Sequence, residues 1–167
     1  MGTKISLVVL LLVACSAFVF GQTEKQVAGI RADVAAINKN AKRYRKKSKD
    51  VFGISLEGAA VTYFSSGKEL KKILAKMYGE TYNGTAEVYY REGKVIFIYW
   101  RMNKYDTQIG MTPPPKVIRV EEERYYFADG ELIRVLAGKT EVKPADEKYS
   151  EMKEGMLEME KGLREAY

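Results

Sequence analysis

The sequence predicts an α+β fold: an N-terminal helix, an antiparallel β-meander of about six strands, and a C-terminal helix packed on the sheet. Three observations carry this expectation. Two adjacent aromatics, two unconstrained residues and a glycine recur as Tyr63-Phe64-Ser65-Ser66-Gly67, Tyr89-Tyr90-Arg91-Glu92-Gly93 and Tyr126-Phe127-Ala128-Asp129-Gly130. Aromatic and branched side chains favour a pleated, half-buried surface, and the glycine supplies the positive φ of a tight reversal. Before these copies, apolar residues step by three and four. After Pro144 the composition turns helical again.

The first helix opens at Thr23-Glu24-Lys25-Gln26, a capping-box pattern. Val27, Ile30, Val34, Ile37, Ala41 and Tyr44 then share one stripe. The basic run Arg43 to Lys49 repels itself and precedes Gly53, so the helix is expected to end there. Ala59 to Phe64 reads as the first strand, turning at Ser65-Ser66-Gly67. Glu69 to Tyr78 carries two signals. Leu70, Ile73, Leu74 and Met77 have helical spacing, but the other copies lead into strands, and repetition favours strand here too.

Thr85 to Tyr90 reads as a strand entered from an Asn83-Gly84 turn. Val95 to Trp100 is apolar without alternation, which implies a central strand covered on both faces. The second cover must be the C-terminal helix or the following loop. Asn103 to Lys116, with Pro113-Pro114-Pro115, is a long connection unable to join a ladder at its prolines. Val117 to Phe127 and Leu132 to Leu136 are strands joined at Ala128-Asp129-Gly130, and Gly138 permits another bend before Thr140 to Val142. Tyr149, Met152, Met156, Met159 and Leu163 form the stripe of the last helix, where methionine is an adaptable packing residue. Val27, Ile30, Val34, Ile37, Phe97, Tyr99 and Trp100 are expected in the core.

Lys4 followed by the short apolar run Ile5 to Ala14 has the form of a secretory signal rather than a membrane span. Cleavage after Gly21 leaves residues 22–167 as a single α+β domain, exported to the periplasm or the extracellular space. Leu12-Val13-Ala14-Cys15 offers an alternative, since it resembles a bacterial lipobox that would make an envelope lipoprotein with a lipid anchor at Cys15.

Cys15 is the only cysteine and there is no histidine. Thiol and Ser-His catalysis and the usual Cys/His zinc sites are thereby excluded. No cofactor or metal is expected. Charge is segregated: nine basic residues face Glu24, Asp33 and Asp50 between Gln22 and Asp50, whereas eight acids outnumber five bases from Glu141 to Tyr167. The basic cluster reads either as a solvated surface, facing the acidic helix, or as a contact for anionic lipid, cell-wall polymer or an acidic partner.

No constellation specifies a reaction, and the expected function is that of an exported, non-catalytic binding module. Its partner would be a protein, an envelope component or a small apolar ligand; export argues against nucleic acid. The candidate ligand surface is the lip of the long connection, Tyr105, Asp106 and Gln108, with Tyr99 and Trp100 as candidate exposed aromatics. One alternative is a carrier holding an apolar small molecule between sheet and helix. Another is a carboxylate-dependent hydrolase built on Glu121 and Glu123, which share a strand face, with Asp106 or Glu87. Cross-strand ion pairing is the simpler role for these acids.

The units Tyr89-Tyr90-x-x-Gly93-Lys94 and Tyr126-Phe127-x-x-Gly130-Glu131-Leu132 resemble the strand-turn units of secreted proteins and lipoproteins of bacteria. More loosely, they are similar to MORN-type repeats. The resemblance implies no activity and assigns no site residue.

Overall fold

The computed structural model describes the chain from Thr3 to Tyr167, with side chains from Gly21 onward. The expected leader and Cys15 therefore lie outside the residues whose side chains are described. The elements are α1 (Thr3–Asn40), β1 (Arg45–Val51), β2 (Ala59–Ser66), β3 (Glu69–Gly79), β4 (Tyr82–Arg91), β5 (Lys94–Tyr105), β6 (Val117–Ala128), β7 (Glu131–Ala137), β8 (Thr140–Val142) and α2 (Lys148–Glu165). All eight strands form one antiparallel sheet in chain order. The α+β class and the presence of both helices agree with the sequence reading, but α1 runs through Thr23–Gln26 rather than opening there, and the strand count is eight rather than six.

Two cores sandwich the sheet between the helices. On one face Val27, Ile30 and Ile37 of α1 pack on Tyr89, Ile96, Phe97 and Tyr126. On the other, Leu163 of α2 joins Val61, Tyr63, Ile73, Val88, Tyr90, Ile98, Tyr125 and Phe127. The apolar run of β5 feeds both: Tyr99 borders the α1 core and Trp100 the α2 core. The second cover is thus α2. Lys72, Glu87, Asn38 and Tyr89 also tie α1 to the sheet, with Lys72 Nζ 3.0 Å from Asn38 Oδ1 and 2.5 Å from Glu87 Oε2.

Gly67, Gly93 and Gly130 all have positive φ at hairpin loops, as the repeated motif requires. The loops differ, however. Glu92-Gly93 and Asp129-Gly130 are both left-handed at each residue, whereas the first loop is Gly67-Lys68 with only Gly67 left-handed. The first reversal therefore sits one residue later relative to its aromatic pair. A one-residue slip exchanges faces. Tyr63 points to the α2 core, whereas the equivalent Tyr89 and Tyr126 point to α1. All three hairpins add one bulged residue to the outgoing strand, Lys71, Ile96 and Ile133, at the same distance from the loop.

Two expectations are corrected. The run Arg45–Val51 is an edge strand paired with β2, not a helix terminus, because α1 already ends at Asn40. Lysines on an exposed edge discourage pairing with another chain, which is why a strand can be this polar. Asn83-Gly84 is not a turn. The β3–β4 loop is Glu80-Thr81, and Gly84 lies within β4, where a Cβ would come 3.0 Å from the Trp100 ring. The glycine makes room for an indole rather than a reversal.

Candidate functional site

β6 is longer than its neighbour β7. Their ladder begins only at Glu123–Ala137, and past it Gly138 donates its N–H to the Glu122 carbonyl at 2.7 Å. Residues 117–121 are paired to β5 on one side and have no strand on the other. Glu122 directs its carbonyl to the β7 side, and the two-residue period of a strand directs the backbone groups of Val120 the same way. Val117, Ile118 and Val120 are 51%, 67% and 47% exposed, values that mark an apolar edge open to solvent.

Beside this edge runs a groove of about 560 Å³. Its floor is Glu121, Glu123 and Tyr125, and its roof is the first half of α2, with Glu151, Met152 and Met156. The roof is held from its far end. Tyr90 donates to buried Glu160 at 2.8 Å, and Tyr63 donates to the Leu163 carbonyl at 2.9 Å. Burial, reinforced by the Glu160 charge, raises the Tyr90 phenol far above its ordinary value, so the hydroxyl remains a donor. The last turns of α2 are therefore pinned while its first turns span the groove.

The three adjacent glutamates divide as strand alternation requires. Glu121 is paired with Lys104 at 3.1 Å and Arg119 at 3.0 Å. Glu122, on the opposite face, accepts from Tyr99 at 3.0 Å and pairs with Arg124 at 3.1 Å. Glu123 accepts from the Tyr125 hydroxyl; burial and this carboxylate raise the Tyr125 phenol well above its usual range. Among the described residues neither Glu123 nor Glu151 has a cationic partner. Lys148 and Arg119 also line the groove, so its acids outnumber its bases without excluding them.

The side chains anticipated as a ligand surface are dispersed. Tyr105 accepts from Asn83 Nδ2 at 2.7 Å. Asp106 Oδ1 accepts the Lys116 N–H at 2.8 Å, closing the base of the connection, and Gln108 donates to Glu80 at 2.8 Å. These polar groups hold the connection to itself and to the β3–β4 loop. Tyr99 and Trp100, being consecutive in β5, face opposite sides of the sheet; Trp100 is the cross-strand neighbour of Glu123. Tyr63, Tyr89, Tyr90, Tyr125 and Tyr126 are all buried. Glu87 sits with Lys72 on the α1 face, away from Glu121 and Glu123, so the anticipated carboxylate set is not assembled.

Sequence reasoning missed the open edge of β6. The available signal was the mismatch between a long strand, Val117 to Phe127, and its short successor, Leu132 to Leu136. Among the described residues no group of three or more metal-ligating side chains converges, and no helix is long and apolar enough to cross a membrane. No protein-family model, curated protein or solved structure matches the chain.

Proposed function

We propose that this chain is a non-catalytic binding module that receives an extended segment of a partner protein along the free edge of β6. One observation carries the reading. The two terminal edges are blunted in the usual ways, β1 by its lysines and β8 by being three residues long, whereas 117–121 exposes Val117, Ile118 and Val120 and has no strand on the side away from β5. An incoming strand gains backbone hydrogen bonds at such an edge, while side-chain pockets supply selectivity. Here the side chains on one face enter the groove beneath α2. Met152 and Met156 suit apolar residues of varied shape, and Glu123 with Glu151 suit a lysine or arginine. The favoured occupant is an extended peptide alternating apolar residues with a cation.

The mixed lining supports a cationic peptide better than the apolar small molecule of a carrier. Glu121 is occupied by two cations, which suits an electrostatic role better than hydrolysis. Lys4 and the apolar run Ile5 to Ala14 support a module that acts after export.

Selection of a displayed peptide library on the full chain tests the proposal. Selected sequences should carry apolar alternation with a basic residue, protect the Val120 amide from hydrogen exchange on binding, and lose affinity to Ile118→Lys/Val120→Lys. Ligands that bind without protecting that amide would sink the proposal, as would binding indifferent to the two lysines.

A further inference from the structure

A second surface lies at the other end of the sheet, five strands from β6. Between Lys39 and Lys49 there are seven Lys and Arg residues in eleven positions, with no acid among them. All seven are exposed. Among the described residues none of them pairs with an Asp or Glu side chain, although cations elsewhere on the sheet, such as Lys72, Lys104 and Arg124, commonly do. Lys47 donates to the Tyr167 main-chain oxygen at 2.6 Å, Arg45 to Ser65 Oγ at 3.4 Å, and Lys46 lies over the Phe64 ring, which leaves Lys39, Lys42, Arg43 and Lys49 directed to solvent. The run turns the end of α1 into edge strand β1, and the next loop adds what a merely solvated charge cluster lacks. Phe52 and Leu56 are 80% and 83% exposed, beyond every other large apolar side chain described.

That loop is rigid. Between the two exposed residues Ile54 turns inward and packs near Gly162 of α2. Glu57 donates its N–H to the Tyr78 carbonyl at 3.2 Å, and Ser55 Oγ donates to the Gly58 carbonyl at 2.5 Å. Two large apolar side chains are thus held in water by the loop that follows Lys49, Phe52 three residues and Leu56 seven residues beyond it. Asp50 and Glu57 are the carboxylates nearby in sequence, leaving the surface strongly positive.

We infer that the β1 edge and the Phe52–Leu56 loop form a docking surface for an anionic lipid bilayer, with the cations on headgroup phosphates and the two apolar side chains inserted at the interface. Charge complementarity selects an anionic surface, and the exposed Phe and Leu select a membrane over a soluble polyanion. The inference is independent of the strand-binding reading, because β1 pairs with β2 alone and lies five strands from β6.

The test uses the full chain and vesicles of phosphatidylcholine, alone or mixed with phosphatidylglycerol. Neutral vesicles report whatever the N-terminal apolar segment contributes; the ratio of the two partition coefficients isolates the patch. Anionic vesicles should be preferred. Lys42→Gln/Arg43→Gln/Lys49→Gln should reduce that preference on the order of a hundredfold, at about fivefold per cation. Phe52→Ser/Leu56→Ser should weaken binding to anionic vesicles by about tenfold or more. Equal partition into both vesicles would overturn the inference, as would a triple variant that binds like the parent. A soluble polyanion bound as tightly as vesicles, with Phe52→Ser/Leu56→Ser unchanged, would also overturn it and assign the patch to polyanions in general.

Discussion

Two buried hydrogen bonds hold the roof of the groove, and removal of the one from Tyr90 to Glu160 makes a sharp prediction. Glu160 is 5% exposed and accepts from Tyr90, itself 1% exposed, at 2.8 Å, while Arg164 Nε approaches the same oxygen at 3.1 Å. In Glu160→Ala the Tyr90 hydroxyl loses its acceptor inside the core, which costs about 1–3 kcal/mol. The Arg164 side chain is half-exposed and regains water, so its lost pairing adds at most about 1 kcal/mol. Glu160→Ala should therefore cost about 1–4 kcal/mol. Tyr90→Phe removes a hydrogen bond to a charged group and should cost about 1.5–3 kcal/mol. The double variant leaves neither orphan, so it should cost less than the sum by about 1–2 kcal/mol. Urea unfolding of the four proteins near neutral pH measures this coupling. Additivity within about 0.5 kcal/mol would refute the bond as an anchor of α2. Hydrogen exchange separates the effects spatially: the amides of Lys148–Glu165 should lose protection before those of β4.

Three further outcomes follow from the packing. Gly84→Val should destabilise by about 1–3 kcal/mol, because its Cβ alone meets the Trp100 ring at 3.0 Å; a thermal melt with Trp100 fluorescence checks it. Burial pushes the Glu87 carboxyl up, but hydrogen bonds from Lys72 and Tyr89 and the Lys72 charge outweigh it and hold the group below its ordinary value. A carboxyl depressed in the folded state adds stability above its unfolded pKa and loses it as pH falls through the folded one. Lys72→Met should therefore cost about 2–3 kcal/mol at neutral pH, discounted for the partial exposure of Glu87, and less in acid, as read by denaturant titrations across that range. Tyr89, Tyr90 and Tyr125 have the opposite sign: raised phenols keep full stability below the unfolded tyrosine value and lose it as pH rises beyond it. Alkaline unfolding should begin near pH ~10, at up to about 1.4 kcal/mol per tyrosine per pH unit. Tyrosinate absorbance from these residues should then appear together with loss of far-ultraviolet dichroism.

The hairpins were legible because each depends on a local requirement, a glycine with positive φ flanked by side chains suited to a pleat. Glu69–Gly79 shows the strength of that signal, since its helical spacing was outweighed by the preceding reversal, and it is a strand. β1 was illegible for the converse reason. An edge strand exposed on both faces has no apolar alternation, and its lysines resemble a helix end. Asn83-Gly84 misled because two causes favour glycine, a reversal and a crowding neighbour, and only the packing of Trp100 distinguishes them. The open edge of β6 depends on where β7 stops, a relation between two strands rather than a property of either. Asp106 and Gln108 lie in the long connection as read, whereas Tyr105 ends β5, and a residue list does not show that the hydrogen bonds of all three are already used.

The two surfaces proposed above lie apart on one sheet. In a meander, strand number fixes position: with neighbours about 4.8 Å apart, β1 and β6 lie about 24 Å from each other across one continuous sheet. A bilayer held along β1 would therefore leave the β6 edge facing away, free to receive a partner. The sheet between is clamped on both faces, by α1 through Val27 and Ile30 and by α2 through Leu163, so the separation is rigid. Loss of vesicle binding in Lys42→Gln/Arg43→Gln/Lys49→Gln should consequently leave peptide affinity in solution unchanged. Coupling between the two, in which the basic-patch variant also weakened peptide binding, would mean that both ligands compete for one charged surface and that the sheet does not keep them apart.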